Sequence, residues 1–215
     1  MKHKIQESAS MGNNKKPAKQ TTLYHVMRES IDYHNDPSGG SIDTEVRGSY
    51  TSLSEANEAA RSDLLNEWGR DFFDEYEEEI EDGKVKVHCI CPEGEEMNVF
   101  IEIKEAAIAQ GVRNGIDILG NAYIVTQRDF EKASDKIGKM HILGVYCSQD
   151  SANSAAKEFL YQMCDIEDSS DEDEIENFEL KAKVEKDGLF VGKAYVRWDD
   201  VDNIIVKAEK WTLHE

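Results

Sequence analysis

Basic residues are scarce in this chain. Its 25 lysines and arginines stand against 45 aspartates and glutamates, a formal net charge of −20 over 215 residues. A field of that sign repels phosphate backbones, so direct binding of DNA or RNA by the folded body is not expected. Long apolar runs are also missing. No stretch approaches the roughly 20 apolar residues that span a bilayer, so no membrane span is expected. The N-terminus lacks the apolar segment of about 7–15 residues that marks a secretory signal. The four cysteines, Cys89, Cys91, Cys147 and Cys164, show no disulfide-framework spacing. A reducing compartment, cytoplasmic or nuclear, is the expectation. Hydrophobic residues make up only 39% of the chain, which suffices for a modest core in one sizeable domain or two small ones.

Catalytic signatures are absent too. There is no Gly-rich phosphate loop, nucleophile elbow or HExxH, so no catalytic residue, cofactor or metal site is expected from motifs. His88-Cys89-Ile90-Cys91 comes nearest to a metal motif. On a strand, however, the two cysteines share one face with His88 on the other, and no second ligand pair stands at zinc spacing. Asp32, His34 and Asp36 form a loop cluster with a weak cation-binding alternative, but the turn formers around them explain those residues equally well.

What is present is a repeat. Gly48, Tyr50, Ser52, Ala56, Asn57, Ala59 and Ala60 recur 96 positions later as Gly144, Tyr146, Ser148, Ala152, Asn153, Ala155 and Ala156. Arg61 and Leu64 correspond to Lys157 and Leu160. In both places an apolar alternating stretch runs into a serine and then into a helical alanine pattern. The expected roles are structural: tyrosine at the strand end, serine as helix cap, alanines for close helix–sheet approach. A ligand groove lined by Asn57 and Asn153 is the functional alternative. Ser52-Leu53-Ser54-Glu55 has the form of a capping box.

The resulting organisation is a tail over 1–22, a first unit over 23–104, a linker over 105–121 and a second unit over 122–215. The tail carries Lys2, Lys4, Lys15, Lys16 and Lys19 with almost nothing apolar, and is expected to be disordered. Each unit reads as β-β-α-β-β, and the fold class is α+β. Two such units would pack as an intramolecular pseudo-dimer, edge to edge or face to face, with helices on one face of antiparallel sheets. In the first unit, Asp71–Asp82 reads as a short amphipathic helix ended by Gly83, and Lys84–Cys91 with Met97–Lys104 as a hairpin. In the second, Phe178–Glu185 and Leu189–Trp198 form the matching hairpin at an offset of 94 or 95, and Asn203–Leu213 is one extra closing strand.

Acids concentrate after each predicted main helix: nine between Glu67 and Asp82, and eight between Asp165 and Glu176. A solvated charged face is one reading, and a docking surface for a basic protein is the other. The docking reading assigns Asp71, Asp74, Glu75, Glu77 and Glu78 in the first unit, and Asp168, Asp171, Glu172 and Asp173 in the second. Ser169 and Ser170 precede Asp171-Glu172-Asp173-Glu174 and are phosphorylation candidates in an acidic context.

Two stretches, Ser49-Tyr50-Thr51-Ser52-Leu53-Ser54-Glu55-Ala56-Asn57 and Cys91-Pro92-Glu93-Gly94-Glu95-Glu96-Met97, are similar to segments of uncharacterised tandem-repeat proteins of filamentous fungi. That resemblance implies no activity or site. The strand-Tyr-x-Ser-helix junction also resembles the small hybrid-binding domain at the N-terminus of eukaryotic ribonucleases H. Those domains are basic where they meet nucleic acid, which this chain is not.

The expected function is a non-enzymatic, intracellular, acidic interaction module for a basic partner protein, acting as monomer or homodimer. Two alternatives stand beside it. One is an acidic mimic that occupies a nucleic-acid-binding protein. The other is a small enzyme at the seam of the two units, which requires two or more of His25, His141, Asp32, Tyr50 and Tyr146 within hydrogen-bond reach.

Overall fold

A computed structural model describes residues 19–39, 41–108, 110–113, 116–119, 122–130, 138–163, 178–196, 203–211 and 213. The chain is α+β. Strands β1 (Lys19–Ile31) and β2 (Ile42–Tyr50) are followed by helix α1 (Leu53–Glu67), a single 3-10 turn (Arg70–Phe72), and strands β3 (Glu75–Glu81), β4 (Lys84–Ile90) and β5 (Glu96–Ile108). A small ribbon of β6 (Gln110–Arg113) and β7 (Ile116–Leu119) comes next. Then follow β8 (Ala122–Phe130), β9 (Lys139–Tyr146), helix α2 (Gln149–Met163), β10 (Phe178–Val184), β11 (Phe190–Val196) and β12 (Asn203–Trp211).

Two five-stranded sheets result, ordered β2-β1-β5-β4-β3 and β9-β8-β12-β11-β10, with antiparallel neighbours throughout. The connections of the two sheets are the same, strand for strand. Each stretch therefore reads β-β-α-β-β-β, one strand more than the sequence pattern suggested. Strand β12 is accordingly the counterpart of β5 and not an extra element. The matching hairpins are β3–β4 and β10–β11, which replaces the pairing expected at offset 94 or 95.

The first sheet gains its missing strand where a helix is expected. Phe72, Tyr76 and Ile80 fall at helical spacing, but Tyr76, Glu78 and Ile80 also alternate with Glu75, Glu77, Glu79 and Glu81. A helix would set Asp74 beside Glu77 and Glu78, and Glu77 beside Glu81, like charges at the repulsive i,i+3 and i,i+4 positions. A strand divides them between two faces. The Asp82-Gly83 pair settles the turn: both residues have positive φ, 50° and 77°, the conformation of a tight two-residue hairpin turn that favours Asp-Gly. The stretch 105–121, expected as linker, is in part strand: β5 continues to Ile108 and the β6–β7 ribbon follows.

Each helix covers one face of its own sheet. Ser52 caps α1 through the Glu55 N–H at 3.5 Å, and Ser148 caps α2 through the Ser151 N–H at 3.2 Å. Gly69, at φ 77°, follows the first helix with a positive φ that glycine adopts without strain. The face of α1 toward the sheet is Ala56, Ala60 and Leu64, and that of α2 is Ala152, Ala156 and Leu160, all fully buried. Small alanines let each helix lie close, while each leucine contributes about 1.5–3 kcal/mol by its burial. Val26 and Val125 face the helices from the middle of the sheets.

The opposite faces meet each other. Leu23 and Met27 of β1, with Val46 and Phe100, pack against Ala122, Ile124, Ile142 and Val145 from the second sheet. Arg128 reinforces the seam by bonding the Asp43 carboxylate and donating to Thr44 O at 2.9 Å. The order of layers is thus helix, sheet, sheet, helix. Among the described residues no helix is long and apolar enough to cross a membrane.

Candidate functional site

Among the described residues, strand β3 lies at the open end of the first sheet and pairs on one side only, with β4. Five of its seven residues are glutamates, and all but Tyr76 are exposed. Glu77, Glu79 and Glu81 stand opposite His88, Lys86 and Lys84, so the neighbouring strand answers acid with base along one face. Only one of these pairs closes to an ion pair, Lys86–Glu79 at 3.5 Å and well exposed. An open hollow of about 490 Å³ lies over this face, lined by Glu77, Glu79, Lys86, His88 and Asn98 among others. The other face turns toward α1: Tyr76 donates to Arg61 O at 3.2 Å, and Arg61 holds Glu78 at 2.7 Å. Ile80, on that same face, is 63% exposed.

The edge is braced from below by an aromatic chain. Trp68 stacks near Phe72 at 6.0 Å, Phe72 meets Phe73 edge-on at 5.2 Å, and Phe73 leans on Tyr76 at 6.0 Å. Arg28 sits over Trp68 and Arg70 over Tyr76 at 5.0 and 5.2 Å. Asp71 and Asp74 flank this brace, both exposed. The structure therefore gathers Asp71, Asp74, Glu75, Glu77 and Glu78 at one sheet edge, and adds Glu79, Ile80 and Glu81 to them. Asp168, Ser169, Ser170, Asp171, Glu172 and Asp173 lie outside the described residues.

The recurring junction residues act on the fold. Asn57 donates from Nδ2 to Gly83 O at 2.9 Å and accepts from the Val85 N–H at 2.8 Å. Asn153 does the same with Gly188 O at 2.8 Å and the Phe190 N–H at 2.9 Å. Each asparagine ties its helix to the turn of the following hairpin. Tyr50 and Tyr146 lie back over Gly48 and Gly144, where an added Cβ would come within 2.8 Å of the ring or its hydroxyl. This accounts for the recurring Gly-x-Tyr. Replacing Asn57 by alanine strands one backbone donor and one acceptor and should cost about 1–2 kcal/mol in urea unfolding, with Asn153→Ala matching it. A neutral Asn57→Ala beside a costly Asn153→Ala would show that the two anchors are not energetically equivalent.

Composition does not reveal one charged network on the outer face of the first sheet. Arg28, with its side chain 7% exposed, reaches Asp63 at 2.6 Å and Glu67 at 2.8 Å. Arg47 reaches the same two acids at 2.9 and 3.3 Å, and Glu45 at 3.1 Å. A cavity of about 360 Å³ opens beside it between α1 and β2. At the corresponding positions of the second sheet stand Leu143, Phe159 and Met163, packed on the apolar core. The signal was available in the Asp63/Glu67 spacing on one helix face, but its arginine partners come from two strands distant in sequence.

The residues proposed for a seam enzyme are not brought together. His25 is buried within β1, its Nδ1 2.7 Å from Ser49 Oγ. Burial, with Lys104 adding repulsion, lowers its pKa to about 4. Tyr50 belongs to the first helix–sheet core and Tyr146 to the second. His141 is half-exposed near Asp129, and Asp32 sits in the β1–β2 loop. There the Asn35 side-chain amide, then its backbone N–H, hold Asp32 below the ordinary carboxylate range, as Ser38 does for Asp36. These carboxylates build turns. Cys89 and Cys91 are buried on the face turned to α1, and burial pushes the Cys89 thiol up to about 11, so it stays protonated at neutral pH. Among the described residues no group of three or more metal-ligating side chains converges.

No family model matches this chain, and neither does any curated protein or solved structure.

Proposed function

We propose that the protein is a non-enzymatic interaction module that takes a basic, extended segment of a partner protein along the β3 edge, and that its two β-β-α-β-β-β stretches are tandem copies packed as an intramolecular pseudo-dimer. The edge strand carries the functional part of this reading. Its outward backbone N–H and C=O groups have no neighbour among the described strands, which is the geometry into which an added strand fits. Glutamates at every second position, roughly 6.7 Å apart, set a charge code for that strand. Charged edges also guard against indiscriminate pairing, so the same residues exclude acidic and neutral strands while admitting basic ones. The paired copies rest on the shared strand order, the two asparagine anchors and the two serine caps.

A peptide of alternating lysine and valine, fluorescently labelled, tests the function. Its anisotropy on titration should show saturable binding that weakens by about tenfold or more between roughly 50 and 500 mM salt. The Glu77→Gln/Glu79→Gln variant should lose most of that binding and keep the fold, because both positions are exposed and glutamine sets no like charge opposite Lys86. Equal binding by the variant would overturn the reading.

A further inference from the structure

One stretch of the chain answers the β3 edge in charge. Residues 1–18, which lie outside the described residues, carry Lys2, Lys4, Lys15 and Lys16 against the single acid Glu7, in a chain whose net charge is −20. The beginning of this stretch also alternates: in an extended segment Lys2, Lys4 and Gln6 share one side, and His3 and Ile5 the other. Strand β3 presents matching rows. Glu77, Glu79 and Glu81 lie on one face, and Glu78 and Ile80 on the other. Of the three glutamates on the first face, only Glu79 has an ion-pair partner among the described residues, and Ile80 is 63% exposed.

We propose that the chain's own N-terminal segment docks on this edge, residues 2–6 adding as a strand parallel to 77–81. This rests on β3 being a docking edge, and it names the resident occupant of that edge. The added strand takes up the outward backbone groups of β3. One register satisfies both faces. It sets Lys2 beside Glu77, Lys4 beside Glu79 and Gln6 beside Glu81 on one face, with His3 beside Glu78 and Ile5 beside Ile80 on the other. Lysine beside glutamate and isoleucine beside isoleucine are stabilising neighbours in a sheet. Glu7, the segment's one acid, falls level with Asp82, where the strand has ended and its turn begins.

The chain is long enough for this within one copy. Carried through β4 and β5, the strand register puts Glu81 level with His25. Lys19, where β1 begins, stands six residues farther along, roughly 20 Å at the rise of a strand. The place beyond β3 is four strand spacings from β1, roughly 19 Å, so the straight path is roughly 28 Å. Residues 7–18 reach roughly 40 Å when extended. Antiparallel addition would lengthen the path to roughly 39 Å, use nearly all of that chain and set Ile5 beside Glu78. A tether this short holds the segment at an effective concentration of about a millimolar, so a pairing of that strength is half occupied. A basic partner therefore binds by displacing the segment.

Amide hydrogen exchange of the full chain, read on peptides covering 75–81, tests this beside the lysine–valine titration at roughly 50 mM salt. Lys2→Gln/Lys4→Gln should speed exchange across 75–81 by about twofold or more and strengthen the peptide's binding by a similar factor, because the competing segment has let go. Lys15→Gln/Lys16→Gln removes the same charge from the connecting stretch and should change neither. Unchanged exchange or unchanged affinity in Lys2→Gln/Lys4→Gln, as when the segment is drawn to the acids of 165–176 instead, would overturn the proposal. Equal effects in both variants would overturn it too, since charge alone would then account for them. In either case a peptide that still binds, and weakens in Glu77→Gln/Glu79→Gln, leaves the docking edge standing without its resident. A peptide that binds none of the variants removes the edge and the resident segment together.

Discussion

Truncating Leu64 to alanine is expected to cost about 3 kcal/mol, and truncating Leu160 about the same. Both leucines are fully buried at the C-terminal end of their helix's apolar stripe, four residues after Ala60 and Ala156. The neighbouring alanines have no side chain to move into the void, so the cost includes a term for the cavity as well as the lost burial. Urea unfolding followed by far-ultraviolet circular dichroism measures the loss. A single transition should shift in both variants. The seam is itself a core, with Leu23, Met27 and Ile124 buried across it, so neither sheet can unfold without exposing the other. Two separable transitions in either variant would mean that the seam contributes little and that the two sheets fold independently.

The second large effect is a loss of stability in acid that traces to one side chain. His25 is fully buried, and its pKa in the folded chain is about 4 against an ordinary 6.5. The unfolded chain therefore takes up a proton that the folded chain refuses. Stability from neutral His25 is complete above about pH 6.5 and is lost as the pH falls from there toward 4. The fall from 6.5 to about 4 corresponds to about 3 kcal/mol, of which about 2.5 is lost between pH 7.5 and 4.5. The carboxylates titrate over part of the same window, so the comparison must isolate the histidine. In a His25→Gln variant the difference in unfolding free energy between those two pH values should shrink by about that amount. An unchanged difference would show that His25 gains no pKa depression from folding.

The two effects sit on opposite faces of the same strand layer. Leu64 presses on the side of β1 that carries Val26, while His25 shares the other side with Leu23 and Met27. A fully buried imidazole beside Ser49 is a polar intrusion into a face otherwise used for apolar packing. Neither sequence period nor composition marks it, because histidine at alternate spacing reads the same whether its face meets water or another sheet.

The strand-to-helix junctions were legible from the residues alone. Gly48-x-Tyr50-x-Ser52 and Gly144-x-Tyr146-x-Ser148 act within a few residues of themselves: a cap reaches three positions and a tyrosine folds over a glycine two before it. Local reach is what makes such a motif readable, and both helices begin where their serines place them. The Asn57 and Asn153 bonds reach 26 and 35 residues onward to a turn, so recurrence betrayed their importance without showing what they do.

The acidic edge was half legible. Composition finds Asp71, Asp74, Glu75, Glu77 and Glu78, but the segment carries two periods at once. Phe72, Tyr76 and Ile80 fit a helix, and Tyr76, Glu78 and Ile80 fit a strand. The choice depends on Lys84, Lys86 and His88 arriving opposite three of the glutamates, an interaction between strands that no single-segment pattern contains. The Arg28–Asp63–Arg47–Glu67 network was hidden for the same reason.

By itself the sequence determined the α+β class, the capped helices with their alanine faces, and a strongly acidic surface, because each follows from neighbours in the chain or from simple counts. The tertiary structure decided that the sheets meet face to face, that β3 is a strand, and that the first sheet ends in an acidic edge. Those outcomes rest on contacts between residues tens of positions apart. Their energies come from burial and charge pairing that exist only once the chain has closed on itself.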